Sequence, residues 1–288
     1  MSYMHIENLY KSQDIFLFRE CYALEKIHGT SAHVAWREGK VHFSSGGAKH
    51  STFVALFDET ALAAAFATLG HESVVVYGEA YGGSQQGQSW RYGKSLKFVA
   101  FEVKIGDSWL AVPQAAQVVS ALGLEFVHYV KVSTDLTALD AERDAPSEQA
   151  RRNGVEGDHP REGVVLRPLI EITKNSGDRI ICKHKRDDER ETATPRKVVD
   201  PAQQVVLASA QAIADEWVTP TRLSHVLDKL GDVGIERTGD VIKAMVEDVL
   251  REAAGEIVDS RDARAAIGRV TATLFKTRIK SAFRDGQP

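Results

Sequence analysis

The chain has 288 residues, 43% hydrophobic and 26% charged, with a formal net charge of −4. Those values fit a packed globular protein of one large or two modest domains, and they argue against coating nucleic acid by bulk charge, though not against a local basic groove. Two distant cysteines, Cys21 and Cys182, argue against a Cys-rich zinc site or a disulfide framework.

The N-terminal "MSYMHIENLYKSQD" is polar and carries no signal-peptide core. No run approaches the roughly 18 apolar residues of a membrane span, so a reducing, cytosolic setting is expected. "CYALEKIHG" alternates like a strand running into a turn. "AHVAWREGKVHFS" alternates on both sides of Glu38-Gly39, a hairpin signal. "STFVALFDETALAAAFATLG" has helical spacing up to Gly70. "ESVVVYGEAYGG" is an apolar strand ending in glycines, and "SLKFVAFEVKIGDSWLAV" is a second hairpin turning at Gly106-Asp107. Pro113 opens a helix that stops near Gly123, and "EFVHYVKV" returns as a strand.

Residues 134 to 161 are polar, with little apolar content after Leu139, and read as an excursion or mobile loop. "EGVVLRP" and "DRIICKHKR" are strands, and "DDERETATPRKVVDP" reads as a linker. From Pro201 the pattern is helical. Thr219 before Pro220 is an N-cap signal, and Ile242, Met245, Val246, Val249 and Leu250 form an i, i+3, i+4 stripe.

Four fragments carry candidate chemistry. Lys26 in "EKIHG" becomes a nucleophile only when neutral, which requires burial or neighbouring cations. Lys183 and Lys185 share one face of their strand by the period of two, and they supply that charge if this strand lies beside the first. Two cations on an apolar strand suit a polyphosphate. They equally suit an edge strand that discourages aggregation. Glu162 reads either as a solvated loop acid or as a metal ligand beside the lysines. Glu79, set among glycines, reads as an exposed turn acid or a ligand contact, and Phe101 alone reads as a core aromatic.

In their order and separation, "EKIHGT", "YGEAYG", "FVAFEV", "EGVVLRP" and "CKHK" resemble the covalent nucleotidyltransferase superfamily of ATP-dependent ligases and RNA capping enzymes. They are most similar to its RNA ligase 2 family, and the resemblance covers almost the whole chain. It implies an α+β fold: a nucleotidyltransferase domain of antiparallel sheets with flanking helices over residues 1–198, then a small all-α domain over 199–288. An OB-fold, as in DNA ligases and capping enzymes, has no pattern here.

The resemblance further implies three steps. A lysine attacks the ATP α-phosphate and forms lysyl-AMP, AMP passes to an RNA 5′-phosphate, and a 3′-hydroxyl then displaces it. By this resemblance Lys26 is the nucleophile. Glu25, Ile27, His28 and Gly29 frame the nucleotide. Glu79 meets the ribose, and Phe101 stacks on adenine. Glu102 stands in place of an aspartate, and with Glu162 it is the expected site of Mg²⁺ or Mn²⁺. Lys183 and Lys185 contact the α-phosphate, and Arg167 stands where a lysine is common. The implied partner is RNA with 3′-OH and 5′-phosphate ends, as in a nicked duplex, and a monomer is expected.

One departure stands out. In "FSSGGAKHS" Gly46 occupies the register of an expected arginine. Lys49, His50 or Arg91, or the backbone amides of the Gly-Gly loop, are the candidates to compensate. The helical domain, with Arg264, Arg269, Lys276, Arg278 and Lys280 on its last helix, is expected to grip the duplex or the 5′ end. The alternative is a solvated face balanced by Glu256, Asp259 and Asp262.

Overall fold

The computed structural model describes residues 3–195, 198, 209–231 and 233–284. The chain divides into two compact units, Met1–Arg186 and Asp187–Pro288. No helix among the described residues is long and apolar enough to cross a membrane.

The first unit is built on two antiparallel sheets. One contains β1 (Glu20–Lys26), β7 (Tyr129–Ser133), β8 (Gly163–Pro168) and β9 (Cys182–Lys185), in the order β7-β1-β8-β9. The other contains β2 (Gly29–Arg37), β3 (Lys40–Ser45), β4 (Ser73–Tyr81), β5 (Lys97–Ile105) and β6 (Ser108–Trp109), in the order β3-β2-β4-β5-β6. The β2–β3 hairpin turns through Glu38 (φ 51) and Gly39 (φ 71), the left-handed pair of a tight two-residue loop. Leu24 and Ile27, beside Val99, Val112 and Val127, form one buried apolar cluster of this unit, while Val34, Val74, Val76, Val103 and Phe66 form another. Burying such side chains contributes about 1.5–3 kcal/mol each.

Several expectations need correcting. The stretch after residue 50 is two helices, α1 (His50–Val54) and α2 (Glu59–Thr68). Asp58 interrupts them because its side chain accepts the Ala61 amide at 3.0 Å and caps α2. Of "EFVHYVKV", only the last four residues are strand, in the element Tyr129–Ser133, with Phe126 making an isolated bridge to Ala100. Of "DRIICKHKR", only Cys182–Lys185 is. Nor does this last strand lie beside the first, since β8 separates them.

The polar excursion is not a loop throughout. It contains α5 (Leu136–Asp144) and α6 (Glu148–Arg152). Leu139 and Ala150 are buried, but polar contacts hold much of the rest. Buried Arg161 donates to the carbonyl oxygens of Glu142 and Pro146, and buried Gln149 donates to the Tyr81 hydroxyl at 2.8 Å. Two further helices complete the unit, α3 (Ser89–Tyr92) and α4 (Val112–Ala121), the latter with Pro113 in its first turn.

The second unit is helical: α7 (Ala210–Trp217), α8 (Pro220–Leu230), α9 (Thr238–Glu252) and α10 (Arg261–Arg284). Residues 201–208 of the expected first helix lie outside the described residues, as does part of the expected linker. Residues 187–195 pair with this unit: the Ala193 amide donates to the Glu216 carbonyl at 2.7 Å, and Arg222 reaches Glu191. Thr219 caps α8 by accepting the Arg222 amide. Val241, Met245 and Val249 are fully buried on one face of α9.

Candidate active site

Three strands of the first unit align the central charges. Lys26 on β1 lies opposite Gly163 on β8, which in turn lies opposite Lys185 on β9. Glu162 immediately precedes Gly163, and its carboxylate is held between the two lysines. Lys26 Nζ is 2.7 Å from Oε2, and Lys185 Nζ is 2.9 Å from Oε1. His28 Nδ1 lies 3.9 Å from Oε2. Glycine is required at 163, because a Cβ there would stand 2.2 Å from the His184 carbonyl oxygen. Burial alone would raise the Glu162 carboxyl, but Lys185, Lys26 and His28 bring it well below the usual range. The Lys26 side chain keeps 25% exposure against 4% for Glu162, so the amine is reachable and the acid beneath it is not.

Glu79 lies on β4 opposite Ser31 of β2. Burial pushes its carboxyl up to about 8, Lys26 and Lys185 acting against Glu162. Near pH 7 it is a neutral acid that can donate a hydrogen bond. Gly29 lets β2 approach this strand, since a Cβ there would meet the Ala80 carbonyl oxygen at 2.5 Å.

A cavity of about 220 Å³ opens beside Lys26. Leu24, Ile27, Phe101, Val127, Val165 and Ile181 supply apolar lining, with Glu79, Lys26 and Lys183 among them. Residues Tyr3 to Ile6 form another part of the wall. The chain just beyond them is fixed to β9: Leu9 N–H donates to Lys183 O and Lys183 N–H to Glu7 O, both at 2.8 Å.

The cavity also reaches a buried charge network. Glu102 accepts Arg179 Nη1 at 3.1 Å and the Tyr3 hydroxyl, and Arg167 Nη1 lies 3.0 Å from it. Glu171 bridges the two arginines, accepting Nε of each at 3.0 Å, and Arg167 also donates to Leu110 O at 2.6 Å. Arg179 stands 4.2 Å over the Trp109 ring.

The fold therefore brings Lys26, Lys183, Glu79, Ile27 and Phe101 around one space, and ties Lys26 through Glu162 to Lys185, with His28 against Glu162. Phe101 also meets the Tyr3 ring edge-on, centroids 5.0 Å apart. Glu25 lines the cavity, but its carboxylate is buried elsewhere, accepting the Ser147 hydroxyl and the amides of Glu148 (3.0 Å) and Gln149 (3.2 Å). Two expectations change. Arg167, which stands where a lysine is common, lines the cavity but is 1% exposed and committed to Glu102, Glu171 and Leu110. Glu102, read with Glu162 as a metal ligand, is fully buried and is the counter-ion of two arginines. Among the described residues no group of three or more His, Cys, Asp and Glu could hold a metal on its own. Glu162 is the carboxylate beside Lys26. Triphosphate oxygens are the usual companions of such a lone acid around a magnesium-type ion.

Gly46 closes β3 by donating to Ser31 O at 2.9 Å, and the Ala48 amide donates to Ser45 Oγ. Those two amides are thus not open to a phosphate. Lys49 and His50 stand at the start of α1, and Arg91 is buried on α3. Sequence reading missed Tyr3, Arg179 and Ser147. Only Ser147 left a trace, an N-cap residue after Pro146 with an acid next to it.

These features define a two-sheet nucleotidyltransferase-like fold with an appended helical unit and a lysine paired to a buried acid in its cleft. The family model for RNA ligase matches residues 19–185. The chain belongs to the RNA ligase family.

Solved structures of Naegleria gruberi RNA ligase share the fold. The complex with pyrophosphate gives a TM-score of 0.51 at 15% identity, covering 65% of this chain and 56% of that one. A lysine-to-alanine mutant with ATP and manganese gives 0.52 at 16%, covering 65% and 57%. A lysine-to-methionine mutant with AMP and manganese gives 0.51 at 16%, covering 65% and 56%. This chain thus spans just over half the length of those ligases. No match was found among curated proteins.

Proposed function

We propose that the chain is an ATP-dependent RNA ligase that works through a covalent lysyl-AMP on Lys26. The observation that carries this reading is Lys26, which lines an apolar cavity and is paired through buried Glu162 with Lys185. Phe101, Ile27 and Val165 offer apolar surface to a base, and Glu79 offers a donor or acceptor to a sugar. Lys183 and Lys185 place positive charge where an α-phosphate would sit. A divalent ion held by Glu162 and the triphosphate would neutralise phosphate charge.

In the first step Lys26 gives its ammonium proton to solvent water and Nζ attacks the α-phosphorus. The N–P bond forms, the α–β bridging P–O bond breaks, and pyrophosphate leaves. Pairing with Glu162 fixes Nζ in position before attack, and Lys185 shares the acid's charge. The step is mainly positioning and charge stabilisation. The fold of the family and the ATP, AMP and pyrophosphate complexes of its Naegleria structural neighbour support this reading. Transfer of AMP onto an RNA 5′-phosphate and its displacement by a 3′-hydroxyl are inferred from membership of the RNA ligase family.

Incubation with α-labelled ATP and Mg²⁺ or Mn²⁺ should give an SDS-resistant protein adduct, labile to acid and stable to alkali as an N–P bond is, that Lys26→Ala abolishes. No adduct with ATP sinks the proposal, and a GTP-only adduct would point to capping chemistry. Sealing assays on nicked duplex RNA, nicked DNA and single-stranded RNA then define the strand joined.

A further inference from the structure

The segment between β4 and β5 presents an aromatic side chain that the nucleotide cavity does not use. Trp90 on α3 is 52% exposed, in a unit whose other tryptophans, Trp36 and Trp109, are at least partly buried. The guanidinium of buried Arg91 lies 4.7 Å from the Trp90 ring centroid, and the His159 ring is 6.1 Å away, tilted by 56°. The ring is held by a cation–π contact and still keeps exposed surface.

The segment is built, and it is tied to the site from both sides. Gly82, Gly83, Gln86, Gly87 and Gly93 all take positive φ, and the Gly83 amide donates to Gly93 O at 2.9 Å, closing the base of the loop. Gln86 Nε2 donates to Gly29 O at 2.7 Å. Tyr92, two residues after Trp90, accepts the His28 N–H on its hydroxyl at 3.2 Å. His159 precedes Glu162 by three residues, and its carbonyl accepts the Ser147 amide at 2.7 Å. The Trp90–His159 pair therefore joins the turn that follows Lys26 to the approach to Glu162.

We propose that Trp90 is a stacking platform for a nucleobase of the RNA strand, outside the ATP cavity. The proposal rests on the RNA-ligase reading above. A base presents a π-face of any sequence, and the Arg91 cation adds attraction for nucleic acid. Exposed Lys94, Arg151 and Arg152 stand in neighbouring sequence segments, against exposed Glu156 and Asp158. The selection is thus by stacking more than by charge.

The test uses the full chain and fluorescein-labelled, 5′-phosphorylated RNA 12-mers, with binding read by anisotropy. Thermal unfolding of each variant checks its fold. Trp90→Ala should weaken RNA binding by about 5- to 100-fold, and Trp90→Phe should recover most of the loss. A scan of single abasic positions should find one that weakens wild-type binding and costs Trp90→Ala nothing further. Unchanged affinity in a folded Trp90→Ala, or abasic losses equal in both proteins, overturns the proposal. Wild-type protein that forms its ATP adduct but binds no RNA overturns it too. Failure to form the adduct at all is a separate result and strikes the ligase reading itself.

Discussion

Glu25 and Ser147 are 122 residues apart in sequence and are joined by a hydrogen bond from the serine hydroxyl to the carboxylate. The same carboxylate accepts the first amides of α6, and Ser147 Oγ accepts the Ala150 amide at 3.0 Å. The residue before Lys26 is thereby anchored by the polar excursion. Glu25→Ala would leave those buried donors without an acceptor and should destabilise the chain by about 1–3 kcal/mol. Ser147→Ala should cost about 1 kcal/mol through the lost cap. Urea unfolding measures both, and a Glu25→Ala midpoint equal to wild type would show that water replaces the carboxylate.

Glu162 balances Lys26 and Lys185 with one buried carboxylate. Glu162→Ala leaves two ammonium groups facing each other and should destabilise by about 3 kcal/mol. It should also lower ATP-dependent labelling of Lys26 more than 100-fold, since one removed electrostatic partner is commonly worth 10²–10³ in rate. A Glu162→Ala protein that labels at the wild-type rate would remove the acid from the mechanism.

Glu79 should give the fold a pH signature. Its carboxyl titrates near 8 when folded, against an ordinary 4.5, so the folded state holds an extra proton between those values. Its contribution is fully present below 4.5 and is lost as pH rises through about 8. Glu79→Gln cannot lose a proton, so its stability relative to wild type should rise from pH 5 to pH 9. Paired thermal unfolding at several pH values tests this, and a constant difference contradicts it.

In the helical unit, Arg222 Nη1 donates to Asp248 at 2.6 Å, and both side chains are almost fully buried. Burial would raise the Asp248 carboxyl, but Arg222, Lys229 and Arg251 lower it. Asp248→Ala strands the Arg222 charge and should cost about 3–5 kcal/mol, visible as an early unfolding transition. Wild-type unfolding of Asp248→Ala would mean that Glu191, 3.3 Å from Arg222 Nη1, suffices alone.

Periodicity made the strands and helices of both units readable, because burial on one face leaves a mark every two or every three to four residues. The excursion over residues 134–161 left no such mark. Gln149 and Arg161 are buried by hydrogen bonds, and polar packing has no period. The site residues were legible as an ordered set of motifs. The roles of Glu102 and Arg167 were not, because the partner that defines them, Arg179, and the Tyr3 hydroxyl come from elsewhere in the chain. On α10 the charge reading divides: Arg264 is paired with Asp259 at 2.6 Å and Arg278 reaches Ser224. Those two side chains have partners inside the unit, as a balanced surface would provide.

The placement of β8 between β1 and β9 also governs when chemistry can begin. Lys26 and Glu162 are separated by 136 residues, and Lys185 comes later still. A chain still emerging from the ribosome lacks the acid, then lacks the second lysine, until nearly all of the first unit has been made. Non-local pairing of this kind forms slowly. On the proposed function, Lys26 therefore gains its acid and its second lysine only in the finished sheet.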